Sequence, residues 1–75
     1  MPHIIVKLWP GRSDELKKKL AEKIAEDVAE GLSGNIGDVS VSFEDIPKEQ
    51  WEEEVVQKDI REKADKLYKK PEYDF

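Results

Sequence analysis

The stretch PHIIVKLWPGRSDE, residues 2–15, passes from an apolar run to a turn to a helix start with almost nothing between. Its β-branched and aromatic members, Ile4 to Trp9, closed by Pro10-Gly11, predict a strand followed by a turn. Alternation puts Pro2, Ile4, Val6 and Leu8 on one face and His3, Ile5, Lys7 and Trp9 on the other. The second face is not purely polar, so it is expected to be partly covered. Pro2 is an unusual opening residue because it brings no N–H to a ladder, a loss only the first position of a strand tolerates. Either the Met-Pro start is incidental, or Met1 is removed and Pro2 becomes the working end of the chain.

Beyond the turn, Ser13 stands where a helix N-cap belongs, and Asp14 and Glu15 suit the positive end of a helix dipole. Leu16, Leu20, Ile24, Val28 and Leu32 then recur at intervals of four, with Ala21 and Ala25 beside them and Lys and Glu opposite. This predicts an amphipathic helix of about five turns that exits through Gly31, Gly34 and Asn35. Asp38 to Ile46 alternates, with Val39, Val41 and Phe43 on one side, and predicts a half-buried strand ended by Pro47. A second helix is expected from about Glu49 to Lys70, its inner stripe Val56, Ile60, Ala64 and Leu67, with Pro71 stopping it. The order is β-α-β-α in one α+β domain, residues 1–75. The first helix is long enough to cross over, so the two strands are expected to be parallel and the connection right-handed. A lone parallel pair has two open edges and is marginal as a sheet. Edge pairing between two protomers would complete four strands, so a homodimer, or a larger assembly, is expected.

Composition narrows the function. A chain of 75 residues has a small core, and with no cysteine and one histidine it lacks the groups for disulfides or a structural zinc. Thirteen basic against eighteen acidic residues, net −5, is the wrong sign for nucleic acid or an anionic membrane. The longest apolar run, Ile4-Ile5-Val6, is far too short for a membrane span or a signal segment, and a cytoplasmic protein is expected.

Few residues carry candidate chemistry. With Met1 removed, Pro2 is a secondary amine; an α-amino group ordinarily titrates near ~7.7–8.0, and burial or a nearby cation lowers that value. Such an amine is a suitable general base for a carbon-bound proton. The chain holds eleven lysines but only two arginines, Arg12 and Arg61. Arg12, at the mouth of the first helix, is able to grip a carboxylate bidentately; the alternative is a weak surface pair with Asp14 or Glu15. His3, pointing away from Pro2, reads as a strand-surface residue. Trp51 is either core or the wall of a pocket. Glu52, Glu53 and Glu54 read as a solvated helix start, with a water-activating carboxylate as the sharper alternative. No phosphate loop, metal cluster or nucleophile–His–acid set is present.

Pro2, the GRSDE segment at 11–15 and the β-α-β order together resemble the 4-oxalocrotonate tautomerase family. MPHI at 1–4, IPKEQW at 46–51 and KKPEY at 69–73 resemble its PptA-type bacterial members more closely. The resemblance implies the tautomerase (MIF-like) fold and a cofactor-independent keto–enol isomerase acting on a small enol or keto acid. It makes Pro2 the catalytic base, Arg12 the carboxylate-binding arginine and Trp51 the aromatic that desolvates the proline, with no metal. Where the hexameric members place a second arginine, this chain has Ser40. That departure favours a monocarboxylate such as phenylenolpyruvate over a dicarboxylate such as 2-hydroxymuconate, and the second helix favours the dimeric subgroup. Two alternatives remain: hydration or dehalogenation of unsaturated acids with Glu53 activating water, or a non-catalytic homologue if Met1 is retained.

Overall fold

The computed structural model describes residues 1–75. Strand β1 (His3–Leu8) and strand β2 (Ser40–Asp45) form a two-stranded parallel sheet, His3 beside Ser40 and Leu8 beside Asp45. Helix α1 (Asp14–Gly31) makes the crossover, and a short 3-10 turn (Ile36–Asp38) leads into β2. The ladder runs on at both ends: the Ser40 amide donates to the Pro2 carbonyl at 3.2 Å and the Ile46 amide to the Leu8 carbonyl at 2.8 Å. Pro2 thus contributes its acceptor, and its missing donor costs nothing here. The β-α-β-α order and the parallel pair are as the sequence predicts.

Local chemistry explains the ends of α1. Ser13 is extended (φ −76°, ψ 159°) and its hydroxyl accepts from the Leu16 amide at 3.2 Å, the expected N-cap. The expected glycine exit is instead built on Ser33, which sits in the left-handed region at φ 53°. The Ser33 amide donates to the Glu30 carbonyl and the Gly34 amide to the Ala29 carbonyl, at 3.2 and 2.8 Å, a Schellman closure. Asn35 caps the following 3-10 turn, its Oδ1 accepting from the Gly37 amide at 2.8 Å.

The second helix departs from expectation. Helix α2 (Lys48–Trp51) opens it, and a wide π-helical segment (Glu52–Arg61) continues it; a 3-10 turn (Ala64–Lys66) replaces the expected extension to Lys70. The apolar positions account for the width. Trp51 and Val56 stand five apart, as do Val55 and Ile60, and an i→i+5 register aligns them on one side. Glu62 closes the segment by donating to Gln57 at 3.0 Å. Beyond it only Ala64 and Leu67 interrupt a polar run, too little apolar surface to hold another turn. Val55, Val56 and Ile60 form the core of this half, with Ile46, Trp51 and Leu67 packed around them.

That core is nearly all there is. Ala29, Val55, Val56 and Ile60 are the only buried residues, and the accessible surface is 6080 Å². A compact monomer of this mass exposes about 4,700 Å². The radius of gyration, 13.8 Å, likewise exceeds the roughly 11 Å of a compact chain of this length. The α1 stripe expected to be core is only partly so: Ile24 and Val28 are half-buried, while Leu16, Leu20 and Leu32 are exposed. An 18-residue helix is about 27 Å long, and a sheet two strands wide is too narrow to cover it.

Replacing Ser33, a side chain in the left-handed region, by glycine relieves strain at the Schellman closure. Ser33→Gly is expected to stabilise the fold by about 0.5–1 kcal/mol, read as a raised urea midpoint at unchanged slope. An unchanged or lowered midpoint would contradict this account of the helix end.

Candidate active site

A concavity of about 550 Å³ opens at the C-terminal end of β1. One wall is aromatic. Trp9, one residue past β1, meets Trp51 edge to face, ring centres 6.3 Å apart and planes at 81°. This is a favoured aromatic geometry. The Lys48 ammonium lies over the Trp9 ring, 4.7 Å from its centre, and holds that indole from outside. Leu8 and Val56 deepen the wall, and Tyr73, carried back by the C-terminal tail, faces it.

Arg12 enters this cleft because of the turn before it. Gly11 has φ +125°, a conformation side chains rarely adopt, and it sends the chain from the strand into the helix cap. The Arg12 guanidinium donates to the Trp9 carbonyl at 3.3 Å and belongs to none of the five ion pairs. The surface pair with Asp14 or Glu15 does not form, so Arg12 is a free, planar cation beside two indoles. The other basic group of the cleft is engaged: Lys7 Nζ donates to Asp59 Oδ2 at 2.6 Å. This hydrogen bond, with the negative field of Asp59, Glu44 and Glu54, raises the Lys7 pKa above the ordinary 10.5 against a smaller opposing effect of burial. Glu52 also lines the cleft and is held by Arg61 at 2.9 Å. Glu53 is exposed and lies outside it.

The structure gathers Arg12 and Trp51 but not Pro2. Pro2 lies at the opposite end of β1, about 20 Å away along the strand. It is half-buried in a separate hollow of about 210 Å³ near the C-terminal end of α1, with Val28, Ala29, Leu32 and Val39. Met1, before it, is 97% exposed. His3 sits on the outer face, its Nδ1 2.6 Å from the Ser40 hydroxyl, so Ser40 belongs to the Pro2 end of the sheet.

Sequence reading missed Trp9, Tyr73 and Asp74 as cleft residues. For Trp9 a signal existed, since it shares a face with Lys7 and directly precedes the turn that aims Arg12. For Tyr73 and Asp74 there was none, because a tail without periodicity has no face to assign.

Comparison with known proteins agrees with this architecture. The family described as Tautomerase enzyme matches residues 2–58. A probable tautomerase of Xylella fastidiosa is 41% identical over 97% of this chain and 89% of its own. Tautomerase PptA of Pectobacterium atrosepticum is 39% identical over the whole of both chains. A solved structure from work on the 4-oxalocrotonate tautomerase isozymes of Methylibium petroleiphilum superposes with a TM-score of 0.63 at 32% identity, covering 67% of this chain and 81% of its own. The chain belongs to the tautomerase family, with the 4-oxalocrotonate tautomerase fold, and is a tautomerase.

A lysine with a raised pKa contributes stability that is complete below its unfolded value and is lost as pH rises through the folded one. Loss of the Lys7–Asp59 bridge is therefore expected to weaken the protein only as pH rises above about 10.5. Urea midpoints measured along that limb should fall more steeply for the unaltered chain than for Lys7→Met. Parallel curves would mean that the bridge contributes nothing.

Proposed function

We propose that this tautomerase acts as a homodimer on monocarboxylate enols of the 2-hydroxy-alkenoate or phenylenolpyruvate type, with Pro2 as the general base once Met1 is removed. The observation that carries the reading is the free Arg12 beside the Trp9–Trp51 wall, in a cleft at one end of a strand whose other end bears Pro2. An antiparallel pairing of β1 with its copy, centred on Ile5, sets Pro2 opposite the partner's Leu8, one residue from the Trp9 that opens the cleft. The same pairing covers one bare strand edge of each chain. Ile5, half exposed in a single chain, lies at its centre. The site is then composite, built twice over, with the proline of one chain and the arginine of the other.

The chemistry follows from that placement. Near α1's C-terminal end, unpaired carbonyls favour a protonated amine. The partner's Arg12 and the aromatic wall act in the opposite sense, by like charge and by desolvation, and leave Pro2 as the free base. The Pro2 nitrogen takes the enol hydroxyl proton; the O–H electron pair becomes the C=O π bond, and the former C=C pair takes a proton at carbon from the protonated Pro2, which returns the free amine. Arg12 holds the carboxylate and the charge that develops on the enolate oxygen. Ser40, bound to His3, supplies no cation, in keeping with a substrate that has one anionic end. Glu53, the carboxylate of the hydratase alternative, stands outside the cleft.

Intact mass of purified protein should show Met1 absent; a chain that uniformly keeps it has an amide at Pro2 and no base. In processed protein, Pro2→Ala is expected to slow UV-monitored ketonisation of phenylenolpyruvate by about 10²–10⁴-fold, and unchanged turnover rejects Pro2. Arg12→Ala should lower kcat/KM about 10–100-fold; no change would remove Arg12 from the site. Sedimentation at micromolar concentration should show a dimer or a larger assembly, and a stable monomer would sink the edge-pairing geometry.

A further inference from the structure

The C-terminal tail carries chemistry that the tautomerase reading leaves unused. It lies beyond residues 2–58, the part matched by the family, yet Tyr73 and Asp74 line the same cleft as Arg12 and Trp51. The cleft has four charged lining residues, and their pairing is uneven. Lys7 is neutralised by Asp59 at 2.6 Å and Glu52 by Arg61 at 2.9 Å. Arg12 and Asp74 have no ion-pair partner. One free cation and one free carboxylate therefore face the space in which a substrate would lie.

We infer that the tail determines which acids enter: Tyr73 supplies the far side of an aromatic slot, and Asp74 turns away any ligand with a second carboxylate. The inference rests on Arg12 being the carboxylate site. A ligand's first carboxylate pairs with Arg12; a second one placed by the tail meets the unpaired Asp74, a like charge that costs it affinity without touching the monoanion. Tyr73 is 50% exposed, so half its surface is free to meet a planar ligand body opposite Trp9 and Trp51. The selected class is a monoanionic acid with an unsaturated or aromatic body.

Calorimetric titration of the full-length protein tests this with two inert acids that share one body, 3-phenylpropanoate and 3-(4-carboxyphenyl)propanoate. The unaltered protein should bind the monoanion more tightly. Asp74→Asn should shrink that preference about fivefold by improving the dianion alone. Tyr73→Ala should weaken both ligands about tenfold, while Tyr73→Phe stays within about twofold. Equal affinity for the two acids in the unaltered protein, or a preference unchanged by Asp74→Asn, overturns the inference. So does Asp74→Asn improving both acids alike, which would make the tail a general plug. Tyr73→Ala without effect removes the slot. Binding is read without turnover, so the two readings fail separately: Pro2-independent ketonisation rejects the base and leaves the tail's selectivity standing, whereas Pro2-dependent ketonisation with unchanged selectivity does the reverse.

Discussion

A parallel strand pair has one hydrogen-bonded seam and two bare edges, and the rest of this chain is arranged around that shortage. The sheet is too narrow to cover α1, so Leu16, Leu20 and Leu32 stay in solvent. It is also too small to enclose a core, so Val55, Val56 and Ile60 of the second helix gather one with Ile46, Trp51 and Leu67 instead. A fold with four buried residues has little hydrophobic burial to set against the conformational entropy of ordering the chain. The proposed dimer answers both deficits at once: strand pairing covers β1's edge and brings a second surface to the apolar stripe.

The same strand sets the electrostatics of the site. β1 separates Pro2 from Arg12 by its full length, and the two ends differ in character. One lies by the carbonyl end of α1; the other is a cleft whose Lys7 and Glu52 are already paired. An amine and a guanidinium in one small pocket of one chain would repel each other during folding. In the proposed dimer, distributing them along a strand postpones that repulsion until two chains meet.

Much of this was legible in local chemistry. The strand at 3–8, the cap at Ser13, the long crossover helix and the parallel second strand all follow from alternation, fourfold recurrence and capping, which act within a few residues. Three features were not. The π register of Glu52–Arg61 turns on the five-residue spacing of Trp51, Val56, Val55 and Ile60, which a 3.6-residue template reads as an ordinary stripe. Exposure of Leu16 and Leu20 reflects the width of the sheet beneath them, a tertiary quantity. The separation of Pro2 from Arg12 is hidden because the residues between them form a strand, and an extended strand carries sequence neighbours far apart. Family resemblance named Pro2, Arg12 and Trp51 together, but only the fold reveals that one chain does not unite them.

The edge-to-face indoles have a consequence of their own. Trp9 and Trp51 are the only tryptophans in the chain, and both stand in the cleft wall. Nearly all of the protein's long-wavelength emission therefore originates within one site, from two rings close enough to exchange excitation and with the Lys48 ammonium seated on one of them. The molecule has a built-in optical probe. Whatever enters the cleft, a small acid or the end of another chain, displaces water from a fluorophore.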